Sequence, residues 1–324
     1  MLDQIRPGLE YASLLDVQPE NLNARDELRR AIAKVEEIRG RPLLLYVANV
    51  LKPSSEVRAS IDLTDDLPFA ELVAAVPAEA TAVDVLLVTP GGVAQQVAQF
   101  VQRLRPRFAD VTFILPHMCM SAGTIWALSG NDIIMDERAF LGPIDPQVPS
   151  RDGQLVPAQT VLTLIKRIQE EGDKRIAAGL SPAWSDIQIL RNMDPKEIGN
   201  ALAMSKYSVQ LAAEYLERHK FRDWPAHRDG RPVTDADRRD RAVEVAEKLC
   251  SHDTWKVHSH GIFRDVAWNE VRIKITALEE SPNLQDAVRA LWALLYWLFE
   301  NTILIKIFLS QNYALFRNRP KANA

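Results

Sequence analysis

The 324-residue chain reads as an α/β protein of repeated strand–helix units with helical additions at its N- and C-terminal ends. Three observations carry this reading. Short apolar runs rich in β-branched residues recur at Leu43–Val47, Val83–Val88, Val111–Leu115 and Ile133–Met135, each strand-length and bounded by turn residues. Helical periodicity fills the intervals between them, as crossover connections in a parallel sheet require. The composition, 47% hydrophobic and 25% charged, is that of an ordinary globular protein.

Residues 23–39 form a first amphipathic helix, with Leu28, Ile32, Val35 and Ile38 on one face. Asp65, Asp66 and Pro68 open a second helix that runs to about Ala75. The aspartates of Asp62–Asp66 read as charge at a helix N-terminus, not as metal ligands. Pro90–Gly91–Gly92 turns the chain into a helix over Ala94–Leu104, and Ser121 turns it into another that ends near Ser129. Beyond Pro149 helical patterns dominate, at Ala158–Ile168, Pro195–His219 and Arg241–Leu249, with the Arg- and Asp-rich stretch Arg222–Arg241 read as a solvated loop. Val271–Thr276 reads as a last strand before a C-terminal apolar helix. The expected units are an N-terminal helical extension (1–42), a core (43–280) with a helical insertion at about 158–250, and a C-terminal apolar helix (281–324) that serves oligomerisation.

A net charge of −4 and the lack of a basic stripe with interleaved aromatics argue against nucleic acid as a partner. Two cysteines, Cys119 and Cys250, supply neither a disulfide framework nor zinc-ligand spacing, and they fit a reducing, cytoplasmic setting. No cofactor or metal is expected. The N-terminus lacks a basic head followed by an apolar stretch, so no secretory signal is read there. The apolar runs Leu291–Phe299 and Ile303–Leu309 are broken by Glu300 and Lys306, charges that are costly inside a bilayer. They read as a subunit- or core-packing helix in a homo-oligomer, with peripheral membrane contact through residues 290–309 as the alternative.

The chemistry lies between Val85 and Gln147. A glycine pair ends one strand and a serine ends the next. Glycine lets the backbone approach a substrate carbonyl closely and adopt φ > 0. Backbone amides facing a nucleophile make an oxyanion site, the largest contributor in acyl transfer. Taken singly, Ser121 is a helix N-cap and Gly91–Gly92 an ordinary turn. At one edge of one sheet they become a nucleophile opposite its oxyanion donors, with the Ala122 amide as a further donor.

The motifs TPGG, MSAGT and LGPIDPQ, in that order, resemble the Clp protease/crotonase superfamily. Within it they are most similar to the serine dehydrogenase proteinase group, related to signal peptide peptidase A and the NfeD-type proteases. WKVHSHGIFRDVA resembles a later segment of that group. The resemblance implies a Clp/crotonase-like core and assembly into rings or stacked trimers. It also implies Ser121 as nucleophile, with Gly91, Gly92 and Ala122 as the oxyanion positions. A polypeptide substrate would add as a strand along Gly91–Ala94.

The general base departs from the family pattern. The Clp branch places a histidine in the region occupied here by Pro143–Pro146, where only Asp145 titrates, and Asp145 reads as a turn-fixing residue. The related branches use a lysine, and the matching positions here are Ala158, Gln159 or Thr160. The candidate bases left are Lys166, otherwise a residue of a solvated helix face, and the histidines His260, His258 and His117. Cys119 reads as a packed thiol. The function expected is a serine peptidase acting through an acyl-enzyme on Ser121, the alternative being a catalytically inactive scaffold or binding protein. A crotonase-like acyl-CoA enzyme would leave the serine without a use.

Overall fold

The computed structural model describes residues 5–19, 22–52, 59–149 and 155–319. In chain order the strands are β1 (Leu43–Ala48), β2 (Ala82–Val88), β3 (Asp110–Leu115), β4 (Met118–Cys119), β5 (Asp132–Met135), β6 (Phe140–Leu141), β7 (Gln147–Pro149), β8 (Leu155–Pro157), β9 (Thr276–Ala277), β10 (Leu304–Leu309) and β11 (Ala314–Asn318). The helices are α1 (Ala24–Arg39), α2 (Asp66–Ala74), α3 (Ala94–Leu104), α4 (Ala122–Ala127), α5 (Ala158–Ala177), α6 (Trp184–Asn192), α7 (Pro195–Tyr215), α8 (Asp235–Cys250), α9 (His252–Trp255), α10 (Arg264–Val266) and α11 (Pro282–Asn301).

One large sheet runs β11–β10–β1–β2–β3–β5–β9. It is parallel from β1 to β9, as the strand–helix alternation predicts, and antiparallel where β10 joins β1 and β11 joins β10. Side chains alternate between the faces of a strand, so each buried strand feeds two cores. On β1, Leu43, Leu45 and Val47 pack on one side and Leu44 and Tyr46 on the other. On β2, Leu86 and Val88 oppose Val85 and Leu87 in the same way. The first core is roofed by α1 and α11, through Leu28, Ile32 and Val35 against Leu291, Leu294 and Leu298. The second lies under α2, α3, α4, α7 and α8. At its centre Trp126 packs against Tyr46, Phe69 and Phe100, with ring centroids 5.1, 5.1 and 4.8 Å away.

Three expectations change. The segment Ile303–Leu309, read as part of an apolar helix, instead forms β10 as an interior strand. Much of the apolar tail is therefore spent inside the molecule: Leu291, Leu294, Phe299, Ile307 and Leu309 are fully buried. Among the described residues no helix is long and apolar enough to cross a membrane. Second, α8 starts at Asp235, inside the stretch read as loop, because Thr234 and Asp237 form a reciprocal capping box there. Third, Val271–Thr276 is strand only at its end; a π-turn occupies Ala267–Val271 and β9 holds two residues.

Candidate active site

The strand ends are laced together before any side chain enters. The Thr89 N–H donates to the Met118 carbonyl and the Met120 N–H donates to the Thr89 carbonyl, both at 3.0 Å, which joins the end of β2 to β4. This crossing holds Gly91 against Ser121. A side chain at Gly91 would put its Cβ 2.7 Å from the Ser121 Cβ and 2.8 Å from the Met120 carbonyl, at φ +100°, so only glycine fits. At Gly92, φ +145°, a Cβ would lie 2.3 Å from the Ile61 carbonyl. That closeness comes from a parallel bridge in which Ile61 donates to the Gly91 carbonyl at 2.7 Å and accepts from the Val93 N–H at 2.9 Å.

Ser121 itself stands at φ 52°, ψ −120°, between β4 and α4. A non-glycine residue there stores strain of order 1–3 kcal/mol, and such positions cluster at functional sites. The turn tolerates it because its neighbours are pinned. The Thr124 hydroxyl lies 3.0 Å from the Cys119 carbonyl and 2.9 Å from that of Gly142, and it accepts the Gly142 N–H at 3.0 Å. Gly123 is equally constrained, since a Cβ would meet Thr89 Cγ2 at 2.3 Å.

The expected oxyanion set needs one correction. The Gly91 amide donates to Thr89 Oγ1 at 3.1 Å, so Gly91 shapes the turn while its N–H is already spent. Among the described residues nothing accepts the Gly92 or Ala122 amides, and both residues line a cavity of about 340 Å³ that also contains Ser121.

The same cavity contains His258. Its Nδ1 is 2.8 Å from Oδ1 of Asp145, a carboxylate only 2% exposed. A carboxylate oxygen accepts, so in the neutral imidazole this contact places the ring proton on Nδ1 and leaves Nε2 as the acceptor. Among the described residues the other oxygen of Asp145 has no partner. Two backbone ties bring the pair together. Ile144 donates to Leu249 at the end of α8 at 3.0 Å, while Leu141 and Ile262 exchange bonds of 3.0 and 2.8 Å. One tie fixes the residue before Asp145, and the other fixes the chain just beyond His258. Asp145 is thus more than the turn residue read from the sequence: it orients a histidine.

The two bases favoured from sequence lie elsewhere. Lys166 stands on the solvent face of α5, its side chain 77% exposed and 3.8 Å from Glu170. His260 packs beside the Trp255 ring at 5.3 Å and is not among the cavity residues. His117 stacks on Trp292 at 5.2 Å, where burial lowers its pKa. Cys119 is the packed thiol expected, pushed up by full burial. The Asp145–His258 pair could not be read from spacing, because 113 residues separate its members. The only traces were a titratable residue inside LGPID and a histidine inside WKVHSHG.

A buried charge cluster stands behind the oxyanion turn. Lys306 of β10, 1% exposed, donates to the Ser60 carbonyl and to Oδ2 of Asp65, each at 2.6 Å. Asp65 also accepts from Tyr46 and Arg317 at 2.7 Å. Asp65 is thus a core ion-pair partner, while Asp62 caps the following turn by accepting from the Thr64 N–H at 2.8 Å. Ser60 lines the cavity and precedes Ile61, so the C-terminal strand supports the Gly91–Gly92 turn through this contact.

Residues 61–179 match the family described as ClpP-like SDH-type serine proteinase. An uncharacterized protein of Methanocaldococcus jannaschii is 29% identical over 181 residues, covering 56% of this chain and 54% of that protein. A second uncharacterized protein of that organism is 39% identical over 90 residues, covering 28% and 29% respectively. The chain spans about half the length of the first relative and less of the second. Among solved structures, a membrane-bound stomatin-specific protease in complex with a substrate peptide is 16% identical, with TM-score 0.40 and coverage of 81% and 84%. A ClpP1 mutant of Listeria monocytogenes is 12% identical, with TM-score 0.29 and coverage of 52% and 92%. Over residues 61–179 the chain is thus similar to the ClpP-like SDH-type serine proteinase family.

Proposed function

We propose that the protein is a serine peptidase using Ser121 as nucleophile, His258 as general base and Asp145 as the residue that orients the imidazole. The observation that carries this reading is one cavity lined by Ser121, His258 and the Gly92 and Ala122 backbones, with Asp145 bound to the far nitrogen of the histidine. His258 Nε2 takes the hydroxyl proton as Ser121 Oγ attacks a peptide carbonyl. The two unspent amides receive the oxyanion, and the imidazolium returns its proton to the leaving amine. Water, deprotonated by the same histidine, then releases the acyl group. The inactive-scaffold alternative rested on a missing base, and His258 supplies a candidate. Among the described residues the histidine is the one titratable group besides Tyr207 on the cavity wall, and Ile125, Ile144 and Met204 make part of it apolar, which suits an uncharged stretch of polypeptide.

Assembly into a homo-oligomer remains part of this proposal, without the C-terminal tail as its contact. Two free, buried cysteines agree with a reducing cytoplasmic setting. The decisive experiment is active-site labelling. A fluorophosphonate probe should label the wild-type chain and leave Ser121→Ala unlabelled. An unlabelled wild type, or labelling that survives Ser121→Ala, would overturn the assignment.

A further inference from the structure

The cavity at Ser121 has a neighbour along α3 and α7. On α3 and its flanks the cavity uses Val93, Ala94 and Gln95; further along the same helix, Ala98, Val101, Gln102 and Arg105 line a second cavity of about 420 Å³. These positions recur at helical spacing, so they form one continuous stripe. On α7 and its π-helical extension, Met204, Tyr207 and Ser208 face the first cavity, and Tyr207, Leu211, Glu214 and Arg218 face the second. Tyr207 is the wall common to both.

In the second cavity Arg105 forms no ion pair among the described residues, although Asp110 and Asp223 act on it at longer range. Arg105 donates through Nη1 to Oδ1 of Asn131, a neutral acceptor, at 2.8 Å. Among the described residues its buried Nε has no partner. The neighbouring acids are engaged elsewhere: Glu214 with Arg218 at 2.9 Å, Asp223 with Arg222 at 3.0 Å, and Asp110 with Arg41 at 2.7 Å. His219 also lines this cavity, its pKa lowered by burial and by Arg105, Arg218 and Arg222. A half-buried guanidinium whose hydrogen-bond partner among the described residues is a neutral amide oxygen, in a cavity of this size, is a receptor for a carboxylate.

We propose that the α3–α7 groove is an extended substrate subsite in which Arg105 binds a carboxylate carried by the polypeptide, a Glu or Asp side chain or its C-terminus. This rests on the peptidase reading for the nature of the ligand. From Ala94 to Arg105 the axial rise along α3 is roughly 16 Å, and an extended chain covers that in about five residues. The acidic group therefore sits about five residues from the bond cleaved at Ser121, while the apolar cavity between takes uncharged residues.

The test separates binding from chemistry. A series of fluorescein-labelled twelve-residue peptides of Ala, Leu and Ser carries one Glu, moved one position at a time, with a Gln series as control. Binding to Ser121→Ala is followed by anisotropy. One Glu position should bind about tenfold tighter than its Gln counterpart. Arg105→Gln in the same background should level the two series, and Arg105→Lys should restore part of the preference. Gln102→Glu, on the exposed turn before Arg105, offers an internal competitor and should also level them should Arg105→Gln fold poorly. A C-terminal amide replacing the free carboxylate distinguishes a terminal group from a side chain. Equal binding of Glu and Gln peptides at every position, or no binding at all, overturns the subsite. Probe labelling of the wild type judges the peptidase reading separately. Selective binding beside an unlabelled wild type would retire the peptidase and leave the carboxylate site standing.

Discussion

At the residue scale, the site rests on groups whose neighbours leave them one role each. Ser121 is strained and pinned, Gly91 is too close to the serine for any side chain, and Asp145 spends one oxygen on His258. The roles of the last two separate by substitution. His258→Ala removes the base and should cut kcat for a fluorogenic peptide by about 10³-fold or more, with KM little changed. Asp145→Asn keeps the volume but permits the other tautomer, and a loss of about 10²–10⁴-fold is expected. Full activity in either variant would remove these residues from the mechanism. Ser121, Gly92 and Ala122 were legible in the sequence because TPGG and MSAGT are local signals, each contained in a few consecutive residues. The base was legible only as one of four candidates, Lys166, His260, His258 and His117, and only folding separates them: Lys166 faces solvent, His260 packs on Trp255 and His258 lines the cavity.

At the scale of elements, the parallel strands and their crossover helices followed from period alone, because a strand buried on both faces must be apolar throughout. The C-terminal segment misled for the same reason. A fully buried strand and a buried helix turn share one hydrophobic pattern, and Leu304–Leu309 has the composition of either. Its place in the sheet also explains Lys306, a charge that looked like an interruption and is instead a buried partner of Asp65. Burial lowers the Lys306 pKa, and the attraction of Asp65 opposes that fall. Helix α11 is thus a structural roof, which makes a prediction about stability. Leu294→Ala, a fully buried change against α1 and the sheet, should cost about 2–5 kcal/mol by urea unfolding. A loss below about 1 kcal/mol would show that this face is not packed as described. Had the tail been an intersubunit element, that variant would change oligomeric state at constant monomer stability.

At the scale of the whole molecule, charge placement gives the fold an acid limit. His219 stands among Arg105, Arg218 and Arg222 and is half-buried; burial first, then those cations, bring its pKa from 6.5 to about 4. Between those two values the unfolded chain binds the proton and the folded chain does not, so unfolding is favoured as protons are added. The contribution is fully present above about pH 6.5 and is lost as pH falls toward about 4. His219→Gln should therefore flatten the acid limb of urea midpoints measured between pH 4 and 7, and an unchanged limb would show that the histidine titrates normally. The sequence by itself determined the α/β class, the strand-end glycine turn and the serine opposite it, because these are written in local periodicity and in motifs a few residues long. Only the tertiary structure decided the rest: that Asp145 meets His258, that the Gly92 amide and not that of Gly91 is open, that the tail extends the sheet, and that Arg105 lines a second cavity along α3. Each of those depends on contacts between distant segments, whose register is set by packing and backbone hydrogen bonds and leaves no periodic mark on the chain.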